Sequence, residues 1–182
     1  METVYWAELR HSLFQNQTMY IAATEKGLCK MTWPTDSMEV LMSWIHRRFP
    51  QADIVESSER LAPYVAQLNE YMNGTRQSFN LPLDLRGTEF QKKVWQALQQ
   101  IPFGEARSYS DIAHGIDRPQ AVRAVGTANG ANPVPMIVPC HRVIGKNNTL
   151  TGFAGGLKVK EALLNLEGYH GYTAAGHARF QF

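Results

Sequence analysis

The sequence predicts a two-part chain: an α/β N-terminal domain, made of a short antiparallel sheet plus helices, followed by a mostly α-helical domain with a helix-turn-helix. Three observations predict it. The 182 residues suit one domain of ordinary size or two small ones. Apolar residues come in strand-length runs early in the chain and at helical spacing after Gly87. Charge divides at nearly the same place: residues 1–85 carry 7 Lys and Arg against 10 Asp and Glu, whereas residues 86–160 carry 10 against 4. The domains are therefore drawn at 1–85 and 86–182.

The elements follow in order. Residues 3–33 read as short strands, with "TMYIAAT" and "GLCKMTW" separated by a hairpin turn at Glu25-Lys26-Gly27. In "SMEVLMSWIHRR", Val40, Leu41, Trp44 and Ile45 recur at helical spacing, and Pro50 stops that helix. "LAPYVAQLNEYMNG" reads as a second helix with Gly74 near its C-cap, and "SFNLPLDL" as an extended crossing. Thr88 and Gln91 match a capping box that opens a helix through Phe90, Val94, Trp95 and Leu98 towards Ile101, ended by Pro102-Phe103-Gly104. Ser108 and Asp111 repeat the capping pattern for a short helix closed by Gly115. Pro119 sits where a first helical turn tolerates it, and a second helix runs to Asn129-Gly130; the pair is the helix-turn-helix candidate. "LKVKEALLNLEGY" reads as a last helix ending at Gly168.

Composition excludes several classes. Apolar content of 44% and charged content of 19% are globular rather than disordered. No apolar run is long enough for a membrane helix, and the N-terminus does not read as a signal peptide. Two cysteines, Cys29 and Cys140, exclude a disulfide framework and a multi-cysteine zinc site; the expectation is a reduced, cytoplasmic protein without metal or cofactor. The basic late segment fits a polyanion partner, and chance clustering accounts for it equally well.

Two stretches carry chemistry. "QAVRAVGTANG" surrounds Arg123 with small residues, few of which can read base edges in a major groove. Such a helix suits close approach to a narrow minor groove; equally, its alanines could pack on a neighbouring helix. In "PMIVPCHRVIG", Cys140 precedes His141 between apolar flanks that read as strand-like walls. A free thiol is only a few per cent ionised near neutral pH, so a histidine that takes its proton makes a nucleophile. For the dipeptide alone, a buried structural Cys beside a satisfied His is the plainer account. Adjacent residues in extended chain face opposite ways, so a working pair needs a bend or a bridging water, and Pro139 favours the bend. Asn132 and Glu167 are candidates to orient the base, and spacing does not choose between them.

"PCHRVIG", with "RAVGTANGANPVP" upstream and "GGLKVKEALLNLEG" downstream, resembles the O6-alkylguanine-DNA alkyltransferase family over roughly residues 88–170, in family motif order. The chain as a whole is most similar to the stand-alone bacterial members. The resemblance implies DNA repair by single-turnover transfer of a methyl or alkyl group from guanine O6 to Cys140, after the nucleotide is flipped out on the minor-groove side. It extends to O4 of thymine as an open possibility. It implies that His141 relays the thiol proton through a water, that Glu167 orients His141, and that Asn132 braces the active-site turn. Arg123 matches the finger that fills the gap in the stack, Tyr109 the residue that turns the nucleotide and contacts the base, and Ser110 and Arg118 the phosphate contacts. The carbonyls of Cys140 and Val143 would accept from the guanine amino group, and the loop 152–156, with Phe153 and the Ala154 N–H, would close over the base. The partner implied is double-stranded DNA carrying O6-alkylguanine, bound by a monomer with no cofactor and no membrane.

Two departures stand out: Phe153 replaces an aromatic hydroxyl, and Ala154 replaces a frequent serine in the closing loop. Rival classes are weaker on the residues. A lesion-binding relative lacks the acceptor cysteine that Cys140 supplies, a sequence-specific regulator needs longer polar side chains than this helix offers, and a Cys-His hydrolase does not share the motif order.

Overall fold

The computed structural model describes residues 1–173; the last nine residues of the domain drawn over 86–182 lie outside them. The described chain divides into two compact units, Met1–Arg86 and the part from Gly87 on.

The first unit is a four-stranded sheet with helices. Strands β1 (Thr3–Leu9), β2 (Met19–Thr24) and β3 (Gly27–Met31) pair antiparallel in sequence. Helix α1 (Met38–Arg48) then leads to β4 (Asp53–Glu56), and helix α2 (Ser58–Met72) follows. The sheet order is β3-β2-β1-β4, with β4 parallel to β1. The sheet is therefore mixed rather than purely antiparallel. β4 escaped the sequence reading because it is four residues long, with Ile54 only half-buried and Val55 exposed. Val4, Trp6, Ala22 and Cys29 of the sheet pack with Leu41, Trp44, Ile45 and Phe49 of α1 and its C-cap. Val40, expected on that stripe, is 40% exposed instead. The crossing over 78–85 lies along β3, where Leu28 N donates to Pro82 O at 3.0 Å and Asp84 N to Leu28 O at 2.8 Å. A side chain at Gly27 would strike Pro82, so that approach requires glycine. No helix among the described residues is long and apolar enough to cross a membrane.

The second unit begins with α3 (Glu89–Leu98), and both halves of its capping box form: Gln91 N donates to Thr88 Oγ1 and Thr88 N to Gln91 Oε1. Strand β5 (Arg107–Ser108) runs into α4 (Tyr109–Gly115), whose Ser108–Asp111 capping box also forms. Helix α5 (Val122–Gly130) starts three residues after Pro119, which belongs to the connecting turn rather than to the helix. The left-handed residue of that turn is Asp117 (φ 58°), a residue type that tolerates the conformation, and not Gly115. A 3-10 turn at Cys140–Arg142 leads into β6 (Val143–Ile144), parallel to β5. Helix α6 (Leu157–Leu166) ends the described helices, with Glu167 as its C-cap and Gly168 left-handed (φ 78°) just beyond. α5 packs against α3 and α4, and α6 against the Cys140–Arg142 turn. Trp95 anchors α3 to α5: its ring is 1% exposed and its Nε1 donates to Ala128 O at 2.8 Å.

Candidate functional site

Residues 132–140 do not form the strand-like wall expected of an apolar run. They fold into a tight turn in which Val138 N donates to Val134 O (3.0 Å), Cys140 N donates to Val138 O (2.8 Å), and Met136 is left-handed at φ 69°. A long side chain reaches that conformation only where its surroundings hold it, and such strain gathers at functional sites. Asn132 does much of the holding. Its Nδ2 donates to Val138 O at 2.7 Å and its Oδ1 accepts from Val134 N at 3.0 Å.

The turn delivers Cys140 at the head of the 3-10 segment, 2% exposed. Burial pushes its thiol up to about 11, opposed by a hydrogen bond from Asn132 and by the charge of Lys160. The thiol therefore rests protonated at neutral pH and needs somewhere to send its proton. The 3-10 geometry supplies the bend that an extended Cys-His pair lacks.

His141 is fully buried, and its Nε2 lies 2.6 Å from Glu167 Oε2. Burial lowers the imidazole, against the pull of Glu167 and with the push of Arg142 and Lys160. Glu167 resists its own burial: hydrogen bonds and charge from His141 and Arg142 bring its carboxyl down to about 2. The main-chain N–H of Gly104 adds a bond to Glu167 Oε1 at 3.2 Å. Gly104 itself is left-handed (φ 79°), and a side chain there would meet Glu167 O at 3.1 Å, so the Pro102-Phe103-Gly104 turn both ends the α3 segment and seats the carboxylate.

Tyr109 opens α4 but points inward, 1% exposed, with its hydroxyl 2.9 Å from Thr151 Oγ1. Burial raises it to about 12, which keeps it a donor. Val143 is fully buried, Phe153 is half-buried and Ala154 is exposed. In the helix pair and its turn, Arg118 and Arg123 are exposed and Ser110 half-buried, with Ser110 O bonded to His114 Nδ1 at 2.8 Å. α5 is split between packing and exposure: Val125, Gly126, Ala128 and Asn129 are buried, while Arg123, Ala124 and Thr127 are exposed.

Cys140, His141, Glu167 and Asn132 are thus brought together, Tyr109 and Lys160 lie within electrostatic reach of Cys140, and Arg118 and Arg123 are exposed. Four residues escaped the sequence reading. Lys160 is fully buried, donates to Val143 O at 2.5 Å, and sits 6.0 Å from the Tyr109 ring and 5.3 Å from the Phe153 ring. Burial lowers its ammonium to about 8. Arg142 and Thr151 are also buried, Thr151 against the Tyr109 hydroxyl, and Asn129 Nδ2 approaches Cys140 O at 3.4 Å. No local pattern marks a lysine in an amphipathic helix as buried; only the "NG" at the end of α5 offered a hint for Asn129.

Known proteins resemble both units of this chain. Residues 17–85 match the family model described as 6-O-methylguanine DNA methyltransferase, ribonuclease-like domain, and residues 89–169 match that of the same family's DNA binding domain. The inducible methylated-DNA–protein-cysteine methyltransferase of Bacillus subtilis is 48% identical over 165 residues, which are 91% of this chain and 90% of that protein. The chain belongs to the O6-methylguanine DNA methyltransferase family. Family members of known structure share its architecture. The O6-methylguanine methyltransferase of Mycobacterium tuberculosis superimposes with a TM-score of 0.77 at 39% identity, covering 91% of this chain and 93% of that one. The Mycobacterium tuberculosis OGT in complex with DNA superimposes with a TM-score of 0.74 at 38% identity, covering 90% and 92%.

Proposed function

We propose that this DNA-repair methyltransferase takes the alkyl group of an O6-alkylguanine onto Cys140, once per molecule. The observation that carries the assignment is the Cys140–His141 turn closed by Glu167 at 2.6 Å, inside a chain of this family. Cys140 gives its proton, through a water, to His141; with Nε2–H directed at Glu167, the accepting lone pair is on Nδ1. The thiolate attacks the alkyl carbon, a C–S bond forms as the C–O6 bond breaks, and the electron pair leaves with O6. The guanine anion then regains a proton, so the hydrogen lost by the thiol ends on guanine. The Tyr109 hydroxyl and the Ala154 N–H stabilise the leaving base. The carbonyls of Cys140 and Val143 accept from its amino group, and Phe153 covers its face. The thioether has no leaving group to return, which makes the step irreversible.

A base inside a duplex is out of reach of a buried thiol, so the nucleotide must be extruded. α5 suits the minor groove because Ala124 and Thr127 let its backbone come close while Arg123 enters the stack. Ser110 and Arg118 hold phosphates, which position the protein without reading sequence. The partner is double-stranded DNA carrying the lesion, and the protein acts as a monomer.

Mass spectrometry after mixing with O6-methylguanine duplex should find one added methyl on the Cys140 peptide. Cys140→Ala should bind the duplex and acquire nothing. An unmodified Cys140 peptide in the wild type, or methyl on another residue, contradicts the assignment.

A further inference from the structure

Arg142 has no part in the alkyl transfer itself, yet all three of its guanidinium nitrogens are engaged beside Cys140. It is buried, at 7% exposure. Its Nε donates to Glu167 Oε1 at 2.8 Å, its Nη2 to Glu167 Oε2 at 3.0 Å and its Nη1 to Ile101 O at 2.6 Å. The Phe103 ring lies 5.8 Å from its guanidinium. Such a two-pronged grip fixes the plane of a carboxylate as well as its position. Burying an ion pair is a poor way to gain stability, since desolvation offsets most of the attraction.

The pair has an electrostatic consequence at His141. A buried carboxylate facing an imidazole alone draws a proton onto the ring, because an opposite charge at this range favours the charged form. An imidazolium has no lone pair with which to receive a thiol proton. With Arg142 in place, Glu167 already has its counter-charge. We infer that Arg142 is a positioning residue for alkyl transfer: it clamps Glu167 on both oxygens and supplies the positive charge the carboxylate requires, so that His141 rests neutral and able to accept the Cys140 proton. The groups facing His141 agree with this. Glu167, at the end of α6, pulls the ring towards the charged form. Burial pushes hardest the other way, and the charges of Arg142 on its own turn and Lys160 of α6 add to it.

The inference rests on His141 being the proton acceptor, and its test separates the two. The titration of His141 is followed by NMR in the wild type, Arg142→Met and Arg142→Lys, from about pH 5 to about pH 9. Single-turnover rates on O6-methylguanine duplex are recorded over the same range. The wild-type ring should be neutral at neutral pH. In Arg142→Met its midpoint should rise by about one pH unit or more, and the acid limb of the rate profile should move up by the same amount. Arg142→Lys, which keeps the charge but not the fork, should recover most of the midpoint. A wild-type His141 that is charged at neutral pH overturns the inference, whether or not Arg142→Met folds. So does a folded Arg142→Met with an unchanged midpoint. If His141 is not the acceptor, His141→Ala will keep the wild-type rate while the NMR midpoints still report the effect of Arg142.

Discussion

Asn132 secures the turn before Cys140 at two points and touches the thiol as well, so one amide links backbone strain to reactivity. Asn132→Ala would leave the buried Val134 N–H unpaired and take one of the two bonds from the Val138 carbonyl, which keeps the Cys140 N–H, a loss on the order of 2 kcal/mol. It would also remove the bond that opposes the burial of the thiol. Urea denaturation should register the loss, and single-turnover alkyl transfer should slow at least about tenfold. A stability change within about 0.5 kcal/mol would contradict the bracing role. At this scale the sequence was informative where a residue belongs to a contiguous motif. Cys140, His141, Asn132 and Glu167 could be named because their neighbours are diagnostic. Lys160, Arg142 and Thr151 could not. Lys160 stands between Val159 and Glu161 in a helix whose other lysine, Lys158, is exposed, and only the packing of α6 onto the Cys140–Arg142 turn buries it.

The elements that could be read from sequence are those whose ends are written locally. Both capping boxes, at Thr88 and Ser108, form with their hydroxyls on the N3 amide, and each such cap contributes about 1 kcal/mol. β4 has no such signal, because its existence depends on β1 offering an edge to a four-residue segment. Helix α5 lies between these cases. Its boundaries were legible to within a few residues, but which small residues face out was decided by α3 and α4. The exposed set, Arg123, Ala124 and Thr127, makes a prediction for this helix. Arg123→Ala should leave stability within about 0.5 kcal/mol of wild type, since the side chain is exposed. It should slow repair of a duplex lesion at least about tenfold, the equivalent of 1.4 kcal/mol, while leaving reaction with the free O6-methylguanine base nearly unchanged. Equal losses on both substrates would rule out a role in the stack.

For the molecule as a whole, the charges that matter to folding are the few that are buried, and they share one sign of pH dependence. Glu167 in the second unit and Asp84 in the first both have carboxyls held below their ordinary values. In each, partners outweigh burial: His141 and Arg142 for Glu167, Arg86 and Thr24 for Asp84. His141 is also lowered, chiefly by burial. In all three cases the unfolded chain binds protons at a higher pH than the folded one, so stability is greatest above the unfolded values and falls on acidification. His141 begins the decline as pH drops through about 6.5. Glu167 follows: with its carboxyl moved from the ordinary 4.5 to about 2, its contribution is lost between those two values. That contribution is on the order of 3 kcal/mol, a large share of the margin of an ordinary domain. Thermal unfolding should therefore show a falling midpoint below neutrality that steepens in the carboxylate range. Glu167→Gln should be less stable than wild type at neutral pH, since it leaves Arg142 buried without its counter-charge. Its midpoint should also change less with pH in the carboxylate range. Parallel curves for the two proteins through that range would show that Glu167 does not carry the acid sensitivity.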